Sequence, residues 1–241
     1  MRCAILSDIH GNIDALDTVL ADVARRGVEI MVCLGDFVGY GAAPNECIAR
    51  LRPRIEAAVA GNHDLAACGR IRLGYFNPDA ADAALWTTET LRPEHLEYLR
   101  SLPYSVLWRG VRLVHSSPAE PEEWHYVFSP GDAAFEMEAC AEDVCFIGHS
   151  HYPGTFEIDG PQVHYTRDAV VLGRPARRYL VNVPSVGQPR DGDRRAGWLL
   201  YDDTPPRFEH VRLEYDIAAA MSRIRAAGLP PFLADRLQWG E

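Results

Sequence analysis

Carboxylate, amide and imidazole groups recur in this chain at points where an apolar run ends. Four short polar motifs each follow such a run, as expected where a buried strand ends. The motifs are Asp8-Ile9-His10, Gly35-Asp36, Gly61-Asn62-His63-Asp64 and Gly148-His149-Ser150-His151. Oxygen and imidazole nitrogen ligands of this kind suit two divalent cations, and one carboxylate can bridge such a pair. Asp36 is the first candidate functional residue among them.

The first sixty residues predict strand, helix, strand, helix and strand, in that order. The predicted strands are 2–6, 30–34 and 55–60, and the predicted helices are one that Asn12 caps and one at 44–51. The periods of the apolar residues and the capping signals support these elements. In a right-handed parallel arrangement the carboxyl ends of the strands share one edge of the sheet. We therefore expect five side chains to converge at that edge: Asp8, His10, Asp36, Asn62 and His63.

The rest of the chain predicts one domain over residues 1–241 with a helical insertion or lid at about 65–102. A hairpin around Arg109-Gly110 would leave His115 at the end of a strand, where a metal ligand fits. The other predicted elements are helices at 132–143 and 217–226 and strands at 144–147, 155–158, 162–165, 179–183, 197–201 and 208–213.

Composition and charge argue against several classes of protein. The formal net charge of −10 disfavours nucleic acid or a membrane surface as a partner, because polyanions would be repelled. The sequence shows neither a signal peptide nor about 18 continuous apolar residues, so we expect a cytoplasmic protein. All 24 basic residues are arginine, which excludes lysine chemistry, and the six cysteines lack CxxC spacing and are expected to be reduced.

The order of the motifs is more specific than any one of them. The series DxH, GD, GNHD, a strand-terminal His and GHxH resembles the calcineurin-like metallophosphoesterase superfamily over nearly the whole chain. Residues 182–193 also resemble a motif of its small prokaryotic members, some of them described as phosphodiesterases and some as diadenosine-tetraphosphatase-like. The resemblance implies an α/β (α+β) fold: a four-layer α/β/β/α sandwich of two mixed β-sheets flanked by helices, with a metal site at the carboxyl ends of the strands.

The resemblance also implies a set of ligands for two divalent metal ions. Asp8, His10 and His151 would bind one ion, Asn62, His115 and His149 would bind the other, and Asp36 would bridge them. Manganese is the first expectation, with iron, nickel, cobalt or zinc as alternatives. A hydroxide that bridges the metals would attack phosphorus in line and hydrolyse a small phosphodiester, phosphomonoester or nucleotide-type substrate.

Two further roles follow from the resemblance and the residue types. His63, next to a ligand, is the candidate catalytic acid, and a purely hydrogen-bonding role is its alternative. Asn62 and Arg190 are the candidate substrate-binding residues, since a guanidinium can hold two phosphate oxygens at once. Arg190 belongs to a cluster of seven arginines between 167 and 195, whose other members we interpret mainly as solvated or ion-paired. A cluster facing the metal site would favour a polyphosphate or nucleotide.

The second motif separates this chain from the protein Ser/Thr phosphatases of the superfamily. Their motif reads GDxVDRG, whereas this chain has Gly39 in place of the acid that orients the catalytic histidine and lacks the phosphate-binding arginine there. A protein phosphatase is therefore a weaker alternative, and Asp64 is one option as a partner for His63. A second alternative is a non-enzymatic interaction module that uses residues 65–102. A nuclease is disfavoured by the charge.

Overall fold

The computed structural model describes residues 1–241, except for the side chain of Tyr75. Within this described part, two six-stranded mixed β-sheets lie face to face and helices cover their outer surfaces. The strands are β1 (Arg2–Leu6), β2 (Ile30–Cys33), β3 (Ala57–Ala58), β4 (Ser105–Trp108), β5 (Val111–Val114), β6 (Val144–Ile147), β7 (Gly154–Asp159), β8 (Gln162–Thr166), β9 (Val170–Leu172), β10 (Arg178–Asn182), β11 (Ala196–Asp203) and β12 (Pro206–Leu213). The α-helices are α1 (Ile13–Arg25), α2 (Pro44–Leu51), α3 (Asn62–Ala67), α4 (Pro78–Thr90), α5 (Pro93–Ser101), α6 (Pro130–Glu138), α7 (Ile217–Ala226) and α8 (Pro231–Asp235).

The first sheet has the strand order β3-β2-β1-β11-β12-β9. Strands β1, β2 and β3 are parallel, with Cys3 opposite Ile30 and Val32 opposite Ala57, and β11, β12 and β9 continue the sheet in antiparallel fashion. The carboxyl ends of the three parallel strands therefore share one edge, as the sequence predicted.

The second sheet has the order β4-β5-β6-β10-β7-β8. Its central strands β5, β6 and β10 are parallel, and an isolated parallel bridge joins Ser7 to Ser185 across the gap between the sheets. This bridge brings the loop after β1 beside the loop after β10. Both sheets thus end on the same side of the molecule.

Three apolar layers hold the elements together. The inner faces of the two sheets pack through residues such as Ile5 and Phe146, both fully buried. Helix α1 covers the outer face of the first sheet with Leu16 and Val19, which follow the predicted helical spacing. Helix α6 covers the outer face of the second sheet through Met137 and its neighbours. The four-layer α/β/β/α sandwich predicted from the sequence is confirmed.

Some predicted elements differ in length from the observed ones. The third strand, predicted at 55–60, is only Ala57–Ala58, because the Ala60 N–H turns away to donate to the Pro103 carbonyl at 2.8 Å. The helix predicted at 132–143 ends at Glu138, and the Arg178 guanidinium donates to the carbonyls of Met137 and Glu142 at 3.0 and 2.9 Å beyond that end. Strand β9 and helix α8 were not predicted.

The segment 65–102 contains the end of α3 and helices α4 and α5. Leu91 and Leu99 pack into the core over the first sheet, while Ala80 and Ala83 pack against α7 and α8. No helix in the described part of the chain combines the length and apolarity that a membrane span requires.

Candidate metal centre

The predicted ligands lie on loops that leave the carboxyl ends of parallel strands in both sheets. Asp8 follows β1, Asp36 follows β2, and His115 comes directly after β5. His149 stands two residues beyond β6, and Asn62 is the first residue of α3. The two sheets therefore deliver these side chains to one place from opposite sides.

Five of the predicted ligands have a left-handed backbone, which is uncommon for residues other than glycine. They are Asp8 (φ 55°), His10 (φ 49°), Asp36 (φ 52°), His149 (φ 63°) and His151 (φ 59°). Each such residue costs on the order of 1–3 kcal/mol and persists only where its surroundings hold it. The Asp8 N–H donates to the Gly35 carbonyl at 3.1 Å and the His10 N–H to the Asp36 carbonyl at 2.9 Å. The loops thus hold one another in sharply bent conformations.

Asp8, His10 and His151 form the first donor group. The His151 Nε2 lies 3.1 Å from Asp8 Oδ1, and the His10 Nε2 lies 3.8 Å from the same oxygen. All three side chains are at most 2% exposed, so bulk solvent does not reach them.

Asp36, His115 and His149 form the second donor group, whose ligand atoms all lie within 4.8 Å of one another. The His115 Nε2 lies 3.3 Å from Asp36 Oδ2. Asn62, the remaining predicted ligand, lines the same cavity as Asp36 and His149, and its buried Oδ1 has no hydrogen-bond partner among the described atoms.

The Asp36 carboxylate lies between the two donor groups. Its Oδ2 is 3.6 Å from the His10 Nε2 of the first group and 3.3 Å from the His115 Nε2 of the second. Its Oδ1 accepts the backbone N–H of His63 at 2.9 Å, which fixes the orientation of the carboxylate. A Cβ at Gly61 would stand 2.0 Å from that Oδ1, so this position requires glycine.

Backbone carbonyls fix the tautomer of every histidine in the two groups. Nδ1 of His10 and of His115 lies 3.1 and 2.7 Å from the carbonyls of Val38 and Leu34, and Nδ1 of His151 contacts the Gln188 carbonyl. A carbonyl can only accept, so each of these Nδ1 atoms carries a proton, and in the neutral ring each Nε2 offers a lone pair.

His149 has the opposite arrangement. Its Nε2 donates to the Trp124 carbonyl at 3.0 Å, which leaves Nδ1 as the free nitrogen. Hydrogen bonds of this kind orient imidazole ligands in metal sites.

The resulting arrangement has lone pairs facing one another without protons between them. The Nε2 atoms of His10 and His151 are 3.1 Å apart, although both carry lone pairs. The buried Asp8 Oδ1 and His115 Nε2 have no hydrogen-bond partner within the described structure. Buried polar atoms are normally satisfied, so a cation that accepts these lone pairs accounts for the geometry. A mixed set of imidazole, carboxylate and amide donors fits divalent transition metals.

The electrostatics of the cluster point the same way. Burial opposes the charged form of Asp36, yet His115 and His63 hold the pKa of Asp36 well below its usual range. Burial lowers the pKa of His115, but the carboxylates of Asp36 and Asp8 outweigh it and raise that pKa to about 9. Protons and metal ions therefore compete for the same donors, and we expect metal binding to weaken as the pH falls.

His63 stands beside the donor groups without belonging to the two predicted ligand sets. A Cβ at Gly39 would lie 2.6 Å from the His63 Nδ1. An acidic side chain at position 39, as in the protein phosphatase motif, would therefore contact that nitrogen. The buried Nδ1 has no partner among the described atoms. Asp64 does not supply one, because its two oxygens accept the N–H groups of Val38 and Gly61 at 3.3 and 3.1 Å. The suggestion that Asp64 orients His63 is therefore wrong.

Arg190 reaches the cavity above the metal donors, where the sequence placed a phosphate-binding residue. Its Nη2 donates to the Tyr40 hydroxyl at 3.2 Å and to Gln188 Oε1 at 3.1 Å, and its guanidinium carbon lies 5.7 Å from the centre of the Tyr40 ring. Tyr40 occupies the motif position at which protein phosphatases carry an arginine. Position 40 supplies no guanidinium here, but Arg190 lines the cavity and donates to the Tyr40 hydroxyl.

The other arginines of the cluster have different roles. Arg167 pairs with Asp191, Arg195 with Asp193, and Arg178 binds backbone carbonyls. Arg174 and Arg177 pair with acidic residues on β7. Within the described structure, Arg190 is the member of the cluster that lines the cavity. The interpretation as solvated or ion-paired is confirmed for four of these five, whereas Arg178 is held by backbone carbonyls.

A cavity of about 530 Å³ opens above the donor groups, and several residues around it were not singled out from the sequence. Arg72 and Phe76 come from the segment 65–102, and Trp124 and Tyr126 come from the loop before α6. An aromatic cluster in a loop carries no periodic signal, but the run Trp124-His125-Tyr126 in a polar stretch could have marked that loop.

The fold and the donor set define a metal-binding α/β sandwich protein. The model of the calcineurin-like phosphoesterase superfamily domain matches residues 1–203. The chain therefore belongs to the calcineurin-like phosphoesterase superfamily, and the prediction from its motifs is confirmed. Membership in a family of phosphoesterases suggests a hydrolase.

Known relatives cover nearly the whole chain. It is 39% identical over 242 residues to the uncharacterized protein MJ0912 of Methanocaldococcus jannaschii, with 98% of this chain and 97% of that protein covered. It is 40% identical to a metallophosphoesterase from Sphaerobacter thermophilus, whose crystal structure matches with a TM-score of 0.89 and coverage of 100% and 99%. The hypothetical protein PH1004 from Pyrococcus horikoshii OT3 shares the fold, with 20% identity, a TM-score of 0.81 and coverage of 100% and 98%.

Proposed function

We propose that this protein is a phosphoesterase that depends on two divalent metal ions and hydrolyses a small phosphodiester, phosphomonoester or nucleotide-type substrate. One observation carries the proposal. Four buried histidines have one ring nitrogen tied to a backbone carbonyl, and their free nitrogens converge with two buried carboxylates. The sharing of Asp36 between the two donor groups supports a site for two ions rather than one.

The residues of the chain divide the work of hydrolysis. Asp8, His10 and His151 would hold one ion and Asn62, His115 and His149 the other, with Asp36 between them. When bound, such ions neutralise phosphate charge and activate a solvent nucleophile. The Asn62 amide oxygen adds a ligand without adding negative charge that would repel the substrate. Arg190, held by Tyr40, lies where it would grip a phosphate oxygen that faces the cavity.

His63 is proposed as the group that protonates the leaving oxygen. Burial, with a smaller contribution from Arg190, lowers the pKa of His63 to about 4 although Asp36 opposes the shift. His63 is therefore neutral in the free protein at pH 7. A bound phosphate would bring negative charge beside the ring and shift this pKa upward, toward the protonated form that an acid requires.

The experiment is reconstitution of metal-free protein followed by assays on aryl phosphate mono- and diesters. Manganese is the first metal to test, followed by iron, nickel, cobalt and zinc. We expect turnover that requires added metal, and the ratio of diesterase to monoesterase rates would define the substrate class. Absence of turnover above solvent with every metal would favour the non-enzymatic interaction module instead. We also propose a cytoplasmic location and a single domain in which residues 65–102 form a helical insertion or lid.

A further inference from the structure

The cavity above the donor groups is larger than a phosphate group requires. Its volume of about 530 Å³ lies within the range of roughly 300–1,000 Å³ that is usual for sites binding whole small molecules. The organic part of the substrate must therefore contact the walls, and their chemistry indicates what that part is.

One wall is formed by the loop of residues 117–129, which we call the aromatic loop. The Tyr126 ring stacks on the His149 ring, with their centres 4.4 Å apart and their planes 16° apart. The Trp124 carbonyl accepts the His149 Nε2 proton, and Trp124 has a left-handed backbone with φ 59°. The aromatic loop is thus fastened to a proposed metal ligand at two points. The Phe128 ring also stacks on Tyr126, with centres 5.3 Å apart and planes 14° apart, so Tyr126, which is 48% exposed, offers its ring edge to the cavity.

Residues 71–80 contribute a second apolar wall to the same cavity. Phe76 packs edge-on against His63, with ring centres 4.9 Å apart, and Ile71 and Ala80 extend this apolar surface. The cavity therefore has aromatic side chains from two separate segments, one touching a proposed ligand and the other the proposed acid. A planar group can stack on such faces whatever its substituents.

Two acidic side chains and one amide side chain complete the walls of the cavity. The carboxylates of Glu122 and Glu123 and the amide of Asn77 line the cavity. Carboxylates repel phosphate but accept hydrogen bonds from hydroxyl and amino groups. The walls thus combine surfaces for an aromatic ring with acceptors for hydroxyls or amines, whereas the cations Arg72 and Arg190 suit phosphate oxygens.

We propose that the cavity takes a nucleoside phosphate ester, with the base against Phe76, Trp124 and the ring edge of Tyr126 and with sugar hydroxyls or base amines facing Glu122 and Glu123. This inference rests on the proposed function and specifies its substrate class. Hydrolysis would form one P–O bond from water and break the P–O bond to the leaving alcohol, which takes up one proton. No oxidant or reductant is needed.

The test compares two ligands that differ only in the base: adenosine 5′-monophosphate and ribose 5-phosphate. Their affinities for manganese-loaded protein are measured by calorimetry, and inorganic phosphate is assayed in the same samples. Turnover, which tests the proposed function, is thus measured separately from base recognition. We expect the adenosine compound to bind at least about 10-fold more tightly, as one stacked base contributes. Equal affinities would overturn the inference whether or not phosphate is released.

Two variants locate the effect. Tyr126→Leu and Phe76→Leu keep most of the bulk of the side chain and remove its aromatic ring. We expect each to reduce the preference for the adenosine compound to within about 3-fold while the affinity for ribose 5-phosphate stays unchanged. Phe135→Leu is the matched control, because Phe135 is 62% exposed on α6 and lies outside the cavity.

Metal content is measured for every variant, because Tyr126 stacks on a proposed ligand. If Tyr126→Leu loses metal, Phe76→Leu decides, since Phe76 contacts His63 instead. A preference for the adenosine compound that survives in Phe76→Leu and in a metal-replete Tyr126→Leu would refute the proposed walls.

Discussion

Replacing Asp36 by asparagine tests whether two ions share one carboxylate. The substitution keeps the shape of the side chain and an oxygen that can accept the His63 N–H, but it removes the negative charge. Because Asp36 Oδ2 lies 3.6 Å from His10 Nε2 and 3.3 Å from His115 Nε2, the charge is lost to both donor groups at once. We therefore expect both metals to be weakened together, whereas His151→Gln should weaken the ion of the first donor group alone.

The size of the effect can be estimated as a shift in the melting temperature Tm. At a metal concentration about 1,000 times Kd, each bound ion stabilises the folded state by about 4.1 kcal/mol. An unfolding entropy of roughly 2.1 cal/mol/K per residue amounts to about 0.5 kcal/mol/K for 241 residues, so each ion raises Tm by about 8 °C. Even at 4 Å and an effective dielectric constant near 20, a missing unit charge costs roughly 4 kcal/mol. This loss brings Kd up to about the metal concentration and reduces the shift to roughly 1 °C per ion.

The assay is thermal unfolding of metal-free protein with and without manganese, combined with metal analysis of dialysed samples. We expect about two ions and a shift of about 16 °C for the wild type, and almost no shift for Asp36→Asn. Asp82→Asn is the control, since Asp82 is an exposed carboxylate on α4 that undergoes the same chemical change. An Asp36→Asn protein that keeps both ions and the full shift would refute the bridging role.

Three further predictions concern single side chains. His63→Ala should keep both metals while turnover of aryl phosphates falls about 100-fold, and loss of metal would instead make His63 a ligand. Tyr40→Phe removes the hydroxyl that accepts Arg190 Nη2 and should raise KM about 10-fold at constant metal content; an unchanged KM would contradict its role. Burial, followed by Arg212, lowers the pKa of His210 to about 4, so the unfolded chain binds its proton first on acidification. Urea unfolding should therefore show the wild type losing up to about 1.4 kcal/mol per pH unit relative to His210→Asn between pH 6.5 and 4; parallel curves would refute this.

The order of the elements and the place of the site were readable from the sequence for a local reason. A buried strand reads as an apolar run, and the residue that follows it marks the carboxyl end of that strand. Parallel strands put those ends on one edge, so the sequence predicts that Asp8, Asp36 and Asn62 meet there. The helix after Asn12 and the hairpin at Arg109-Gly110 were equally local and equally predictable.

Other features depend on contacts between distant segments. The tautomer of His149 follows from the Trp124 carbonyl, and the place of Arg190 follows from Tyr40, 150 positions away. Asp64 is not the partner of His63, because both oxygens of Asp64 accept backbone N–H groups. Such contacts form only when loops from both sheets are packed together, and no spacing within the chain encodes them.

By itself, the sequence determined which chemical groups are present, the family to which they belong and the edge of the sheets where they gather, because residue type and strand periodicity are local properties. The tertiary structure alone decided how those groups face one another. It set the left-handed turns at Asp8 and Asp36, the close approach of the Nε2 atoms of His10 and His151, and the aromatic walls of the cavity. These features arise from packing between segments that are far apart in the chain, and packing is a property of the assembled molecule.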